Sequence, residues 1–349
     1  MKKKLFLLLS IMLILVIVGV VITKQMSQNK GESKDNSDQT IQIVTSFYPM
    51  YVVALNIADK VPNMEVNNLT ENSTGCLHDY QLTTEDMKIL ADADIFIMNG
   101  GGMESFMEEV VKEYPHLLVI DASEGVTMLK NMDHEEGHTI KGENITSALE
   151  SEGEHDHGEF NPHVWLNPKL YVEQIENVEK CLISYINQED INDNSIHKND
   201  IDRADNSNKE IATKVENNAK TYIQKVLDLD QEIEDSINMN NREGVVIFHD
   251  AFAYLADRFG LKIVHTVEMD SDTVLSAGEI AEVIDEVKEG NVQLLFTEEQ
   301  YSDSIAARIE AETDAKVYVI DSGVTGDGTK DSYINAMQSN LLVLKDALQ

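Results

Sequence analysis

The feature that most restricts how this chain can fold is one order of short elements written twice. Runs rich in Val and Ile, each bounded by polar residues, occur at 41–45, 64–69, 94–98 and 117–120, and again at 245–249, 262–267, 292–297 and 316–320. Helical periods lie between and after them, at 48–60, 82–91, 103–114 and 169–187 in the first set and at 251–259, 278–289, 302–313 and 333–348 in the second. Alternation of β and α units implies parallel strands with helices on both faces, and strands that are apolar on both sides are expected to be buried on both faces. The expected class is α/β: two lobes, each with a four-stranded, mostly parallel sheet flanked by helices.

Between the two sets, residues 168–240 carry no strand signal. Ile211, Val215, Ala219, Tyr222, Val226 and Leu229 recur there at spacings of three and four, one face of a helix about six turns long. This predicts a long rigid helix joining the lobes, and divides the folded chain into an N-terminal lobe at 41–205, a linking helix at 206–238 and a C-terminal lobe at 239–349. The polar, Asn- and Asp-rich stretch before the helix reads as a surface excursion.

Ahead of the first strand, Lys2, Lys3 and Lys4 precede an uncharged apolar run from Leu5 to Ile22. The run is longer than a usual signal core and close to the ~20 residues that span a bilayer, so residues 1–24 are expected to be a signal peptide or an N-terminal membrane anchor. No clear small-x-small cleavage site and no cysteine follow it, which tilts the expectation to an uncleaved anchor. Positive-inside bias then places the rest outside the membrane, held at its extracellular face or, alternatively, secreted after cleavage. Residues 25–40 are polar and aperiodic, a flexible tether.

A formal net charge of -36 argues against nucleic acid or an anionic membrane surface as a partner and favours attraction of cations. Two cysteines, Cys76 and Cys181, are too few for a disulfide framework, and their pairing is left open.

Four residues fall where strands hand over to loops: His78 in GCLHDYQL, His163 in NPHVWLNP, His249 in VVIFHDAF and Asp321 in VYVIDSG. Three imidazoles and a carboxylate make a complete tetrahedral shell, and in open parallel sheets the ligand crevice lies beyond the carboxyl ends of the strands. Separations of 85, 86 and 72 residues mean that only the fold brings them together. Two from each lobe place the metal in the cleft between lobes. Each histidine taken singly would be read as ordinary; the combination carries the expectation.

Their neighbours are read more plainly. Asp79 is either an acceptor for an imidazole N–H or a turn residue, and Asp250 is taken as the N-cap of the helix at 251–259. Cys76 is taken as a small buried residue rather than a thiolate ligand. Glu298 and Glu299 end a strand near the expected crevice and are read as a solvated pair. His265 and His116 receive no role. The segment 133–159 holds four of the ten histidines, His134, His138, His155 and His157, with nine acidic residues and one lysine. It is a solvated acidic loop or an accessory site that gathers Zn²⁺ weakly and passes it to His163.

Several stretches together, namely IVTSFYPMYVVALNIADK, GCLHDYQLTTEDMKIL, ADADIFIMNGGGMESF, NPHVWLNP, FHDAFAYLADRFGL, LLFTEEQYS and VYVIDSG with Tyr333, Met337 and Asn340, resemble the ZnuA/TroA-like metal-binding proteins of bacterial ABC importers, from Ile41 to Leu348. The resemblance implies two α/β lobes joined by a rigid helix, and by matched motif His78, His163, His249 and Asp321 as ligands. It departs where the usual Asp-Pro-Leu-Gly becomes Asp321-Ser-Gly-Val, and in lacking a lipid-anchoring cysteine. Manganese members generally carry glutamate at the third histidine position, so His249 implies Zn²⁺ over Mn²⁺, in keeping with the preference of Zn²⁺ for imidazole.

The function expected is a monomeric receptor that captures Zn²⁺ outside the membrane and hands it to an ABC permease driven by its ATPase subunit. The alternatives are a manganese or iron receptor of the same family, a zinc-dependent hydrolase, or an adhesin with structural metal. A hydrolase needs an exchangeable water and a nearby base, and no HExxH helix supports one.

Overall fold

In the computed structural model, residues 40–71, 77, 80–131, 140–141, 160–188, 206–236, 244–267, 276–298 and 303–348 are described. The apolar segment 1–24, the tether up to residue 39, Cys76, His78, Glu299 and all of 133–159 except 140–141 lie outside them. Among the described residues no helix is long and apolar enough to cross a membrane.

The first lobe contains β1 (Ile41–Thr45), α1 (Tyr48–Ile57), β2 (Met64–Asn68), α2 (Thr84–Ala91), β3 (Ile95–Met98), α3 (Met107–Glu113) and β4 (Leu118–Asp121). A small antiparallel pair, β5 (Thr127–Met128) and β6 (Ile140–Lys141), and a 3₁₀ turn at Val164–Leu166 lead to α4 (Pro168–Ile186). The long α5 (Asn206–Ser236) follows. The second lobe is β7 (Gly244–Ile247), α6 (Phe252–Phe259), β8 (Lys262–Thr266), α7 (Ala277–Glu289), β9 (Leu294–Thr297), α8 (Asp303–Glu312), β10 (Lys316–Val319) and α9 (Ser332–Ala347).

Both sheets are parallel throughout and share one strand order, β2-β1-β3-β4 in the first lobe and β8-β7-β9-β10 in the second. The first strand of each set therefore sits inside the sheet, where both faces can be buried. In β7 the pleat divides the core: Val245 and Ile247 join the large cluster that runs through both lobes, while Val246 and Phe248 join a smaller one with Ile280, Ile284 and Leu295. The expectation of strands buried on both faces fails at the edges. Glu65 of β2 and Lys316 and Val319 of β10 are exposed, because an edge strand has a neighbour on one side only.

Helix starts follow local chemistry. Thr83 and Asp86 form a capping box at α2, Ser276 and Glu279 form another at α7, and Asn167 accepts the Lys169 N–H with Pro168 in the first turn of α4. One start was misjudged: the helix expected from 103 begins at Met107. Gly100, Gly101 and Gly102 all have positive φ, which prolongs the turn after β3, and the buried Glu104 carboxylate accepts the N–H groups of Asn99 and Gly100.

The stripe on α5 is buried from Val215 onward as its spacing requires, while Ile211 at its start is half-buried. Val215, Ala219, Tyr222, Val226, Leu229 and Ile233 are all at most 3% exposed. They pack α5 along α4 and α1 of the first lobe and α9 of the second. Each large buried side chain stabilises this contact by ~1.5–3 kcal/mol before entropy is counted. The lobes are further joined by buried and part-buried polar contacts. Tyr48 Oη accepts the Gly328 N–H at 2.8 Å and donates to Ser332 Oγ at 2.7 Å, and Asn56 Nδ2 donates to the Lys330 carbonyl at 2.8 Å. Cys181 is a free, half-buried thiol in α4.

Candidate metal centre

His163 and His249 meet at the junction of the lobes. His163 lies just before the 3₁₀ turn and is fully buried; His249 lies two residues past the end of β7 and is 6% exposed. Their rings approach edge to face, with centroids 4.7 Å apart at 81°. One carboxylate, that of Asp250, reaches both rings. Its Oδ1 is 3.4 Å from His249 Nε2 and 3.5 Å from His163 Nδ1. Among the described residues these three form the one group of ligand types close enough to share an ion, their donor atoms lying within 4.8 Å of one another.

The ring nitrogens are assigned by their partners. Asn161 Oδ1 accepts the backbone N–H of His163 at 3.0 Å and so must be the amide oxygen, while Asn161 Nδ2 donates to the Asp250 carbonyl at 2.9 Å. His163 Nδ1, 2.8 Å from that same oxygen, must therefore carry the proton, which leaves Nε2 with the lone pair. His249 Nδ1 faces Glu298 Oε1 in a short contact, so its proton also sits on Nδ1 and its lone pair on Nε2. Both imidazoles thus offer one nitrogen each to a cation, with the other fixed by an acceptor, the arrangement typical of metal-binding histidines. Nε2 of His249 and Oδ1 of Asp250 lie 3.4 Å apart, close enough to share one cation.

Two readings of the sequence need correction. Asp250 does not cap α6: Ala251 is the N-cap residue, no side chain caps the helix, and only the Asp250 carbonyl serves it, accepting the Ala253 N–H at 2.9 Å. The carboxylate turns to the two imidazoles instead. Glu298 is not a solvated residue but 3% exposed and bound to His249. His265, to which no role was given, is half-buried and pairs its Nδ1 with Glu286 at 2.5 Å. Glu298 could have been found by the rule that singled out His249, since it directly follows β9 at the same end of the sheet. Asp250 carried only its place beside His249 as a signal, and adjacency serves a cap equally well.

Asp321 follows β10 and is exposed. Its N–H donates to Asn340 Oδ1 at 2.8 Å, and its Oδ1 accepts the Gly323 N–H at 2.8 Å. The next residue reaches the centre from both sides: Ser322 Oγ donates to Glu298 Oε2 at 2.9 Å, and its carbonyl accepts Trp165 Nε1–H at 2.7 Å. Trp165 lies against His163 at 5.2 Å between centroids, and its own carbonyl accepts the Tyr333 hydroxyl at 2.8 Å. The structure thus brings His163 and His249 together and sets Asp321 one residue from groups that flank both. His78, His134, His138, His155 and His157 fall outside the described residues.

Comparison with known proteins agrees with this architecture. The chain is 28% identical over 328 residues to the high-affinity zinc uptake system protein ZnuA of Bacillus subtilis, covering 92% of each chain. It is 27% identical over 329 residues to the zinc-binding lipoprotein AdcA of Streptococcus pneumoniae, spanning 90% of this chain but only 57% of AdcA. The fold superposes on the Zn(II)-bound crystal structure of AdcA with a TM-score of 0.66, over 88% of this chain and 58% of that one. It also superposes on the Mn²⁺ complex of FpvC from Pseudomonas aeruginosa, with a TM-score of 0.67 at 21% identity, over 89% of this chain and 99% of that one. The family model for ZnuA, the periplasmic component A of zinc-uptake complexes, matches residues 43–347. Two parallel-sheet lobes meeting at paired imidazoles and a match over nearly the whole folded chain lead to one assignment: the chain belongs to the ZnuA family of metal-uptake solute-binding proteins and is not an enzyme.

Proposed function

We propose that this protein captures Zn²⁺ between its lobes outside the cell membrane and delivers it to an ABC permease powered by a partner ATPase. The observation that carries the reading is the pairing of His163 and His249 across the lobes with the Asp250 carboxylate beside both, each ring fixed by an acceptor at Nδ1. His78 and Asp321 complete the shell. Asp321 makes a local hydrogen bond to Gly323 at an exposed position, one that a cation can replace at little cost. Asp250 supplies negative charge beside the imidazoles and draws the ion in. Nitrogen-rich ligation favours Zn²⁺ over Mn²⁺.

The chain works as a monomer held by its N-terminal segment 1–24 at the outer face of the membrane, with the lobes borne on the tether 25–40. His134, His138, His155 and His157 act as weak accessory ligands that raise the local concentration of zinc near His163. Calorimetric titration of the soluble protein with Zn²⁺ and Mn²⁺ tests the assignment. One tight Zn²⁺ site with weaker Mn²⁺ binding is expected; Mn²⁺ bound more tightly than Zn²⁺ would overturn it. Replacing the four accessory histidines by serine is expected to abolish weaker sites and spare the tight one.

A further inference from the structure

Glu298 is a carboxylate withdrawn from water in a strongly acidic chain, and removing such a group from solvent is costly unless both oxygens are held. Each oxygen has a different task. Oε1 accepts from His249 Nδ1, while Oε2 accepts the Ser322 hydroxyl at 2.9 Å. Ser322 follows Asp321 in the chain, and its carbonyl binds Trp165 beside His163. Glu298 therefore stands in a continuous line of contacts from His249, through the loop that bears Asp321, to the first lobe.

We propose that Glu298 is a positioning residue for zinc capture: it fixes the tautomer and ring direction of His249 and ties that ring to the Asp321 loop. The inference rests on the zinc-capture reading above. With Oε1 of Glu298 held against Nδ1 and Oε2 against the Ser322 hydroxyl, the ring is fixed with Nε2 directed to Asp250. Without Glu298 the ring is free to turn over or to protonate on Nε2, and either change removes the donor atom. Since Ser322 binds the same carboxylate, the ring and the loop carrying Asp321 are placed by one group rather than separately.

The test compares wild type with Glu298→Ala and Glu298→Gln, using competition titration with Zn²⁺, the visible spectrum of the Co²⁺ forms, thermal melting, and ¹⁵N imidazole NMR of the metal-free protein. Glu298→Ala is expected to weaken Zn²⁺ binding by about 10–100-fold and shift the Co²⁺ bands. Glu298→Gln, whose amide oxygen can still accept from Nδ1 while its NH₂ meets Ser322, is expected to recover most of that loss. Wild-type His249 should carry its proton on Nδ1. Alanine binding within twofold of wild type, or a wild-type His249 protonated on Nε2, would overturn the proposal. Should Glu298→Ala fail to fold, the glutamine variant and the wild-type tautomer decide. A wild type that binds no Zn²⁺ refutes the capture reading itself, and the tautomer measurement still decides the role of Glu298.

Discussion

His163 and His249, 86 residues apart in the chain, stand edge to face at 4.7 Å between ring centroids, one contributed by each lobe. Neither lobe alone holds both, so a tight site requires the lobes to be docked. Replacing either histidine with alanine is expected to weaken Zn²⁺ binding by at least about 100-fold, beyond the usual effect of losing an outer partner. Titration with a zinc-competing chromophore reads this directly. Wild-type affinity in either variant would remove that residue from the shell.

The two carboxylates should differ in consequence. Asp250 is part-exposed and lies 3.4 Å from His249 Nε2, so Asp250→Asn removes an attraction of about 1 kcal/mol and costs about fivefold in affinity. Asp321→Asn removes the carboxylate proposed to complete the shell and is expected to cost more, about 100-fold, the upper end for losing a group at a metal site. The same titration separates them, and the reverse order would make Asp250 the carboxylate of the shell.

Trp165 joins the lobes through its indole N–H to the Ser322 carbonyl at 2.7 Å, fully buried. Trp165→Phe strands that carbonyl and should destabilise the metal-free protein by about 1–3 kcal/mol. Urea denaturation gives the value; a change below about 0.5 kcal/mol would mean that the bond contributes nothing net.

Asp121 ends β4 beneath the turn at Gly100, where a Cβ on that glycine would lie 1.9 Å from its Oδ1. Burial raises its pKa from 3.8 to about 7, helped by the nearby charge of Glu104 and opposed by the Ser123 N–H. Between pH 4 and pH 7 the folded chain thus holds a proton that the unfolded chain has released. Stability from this group is present at low pH, is lost as pH rises through that window and levels off above it, with a span on the order of 4 kcal/mol. Asp121→Asn should accordingly gain stability relative to wild type on going from pH 4 to pH 8. Parallel denaturation curves at the two pH values check this, and an unchanged difference would show that Asp121 ionises normally.

Much of the architecture was legible because it rests on local periodicity. The two sets of four strands, the stripe from Val215 to Leu229 and the helix start at Asn167-Pro168 are each written within a few neighbouring residues. Where a boundary depended on backbone conformation rather than period, as at Gly100–Gly102, the expectation was off by a turn. His249 was legible by its place after a strand and His163 by its place ahead of the helix that starts at Asn167-Pro168, although no strand leads into His163, whereas Asp250 and Glu298 were misread.

The sequence alone determined the fold class, the two repeated sets of strands and helices, and His163 and His249 as candidates, since hydrophobic spacing and capping chemistry act over a few residues, while the order of strands within each sheet came from the tertiary structure. Only the tertiary structure decided that Asp250 faces two imidazoles instead of capping a helix, and that Glu298 is buried against His249 and Ser322. Those outcomes depend on how loops separated by tens of residues meet at the ends of two sheets, where the balance between desolvating a carboxylate and satisfying it is set by partners that no local pattern specifies.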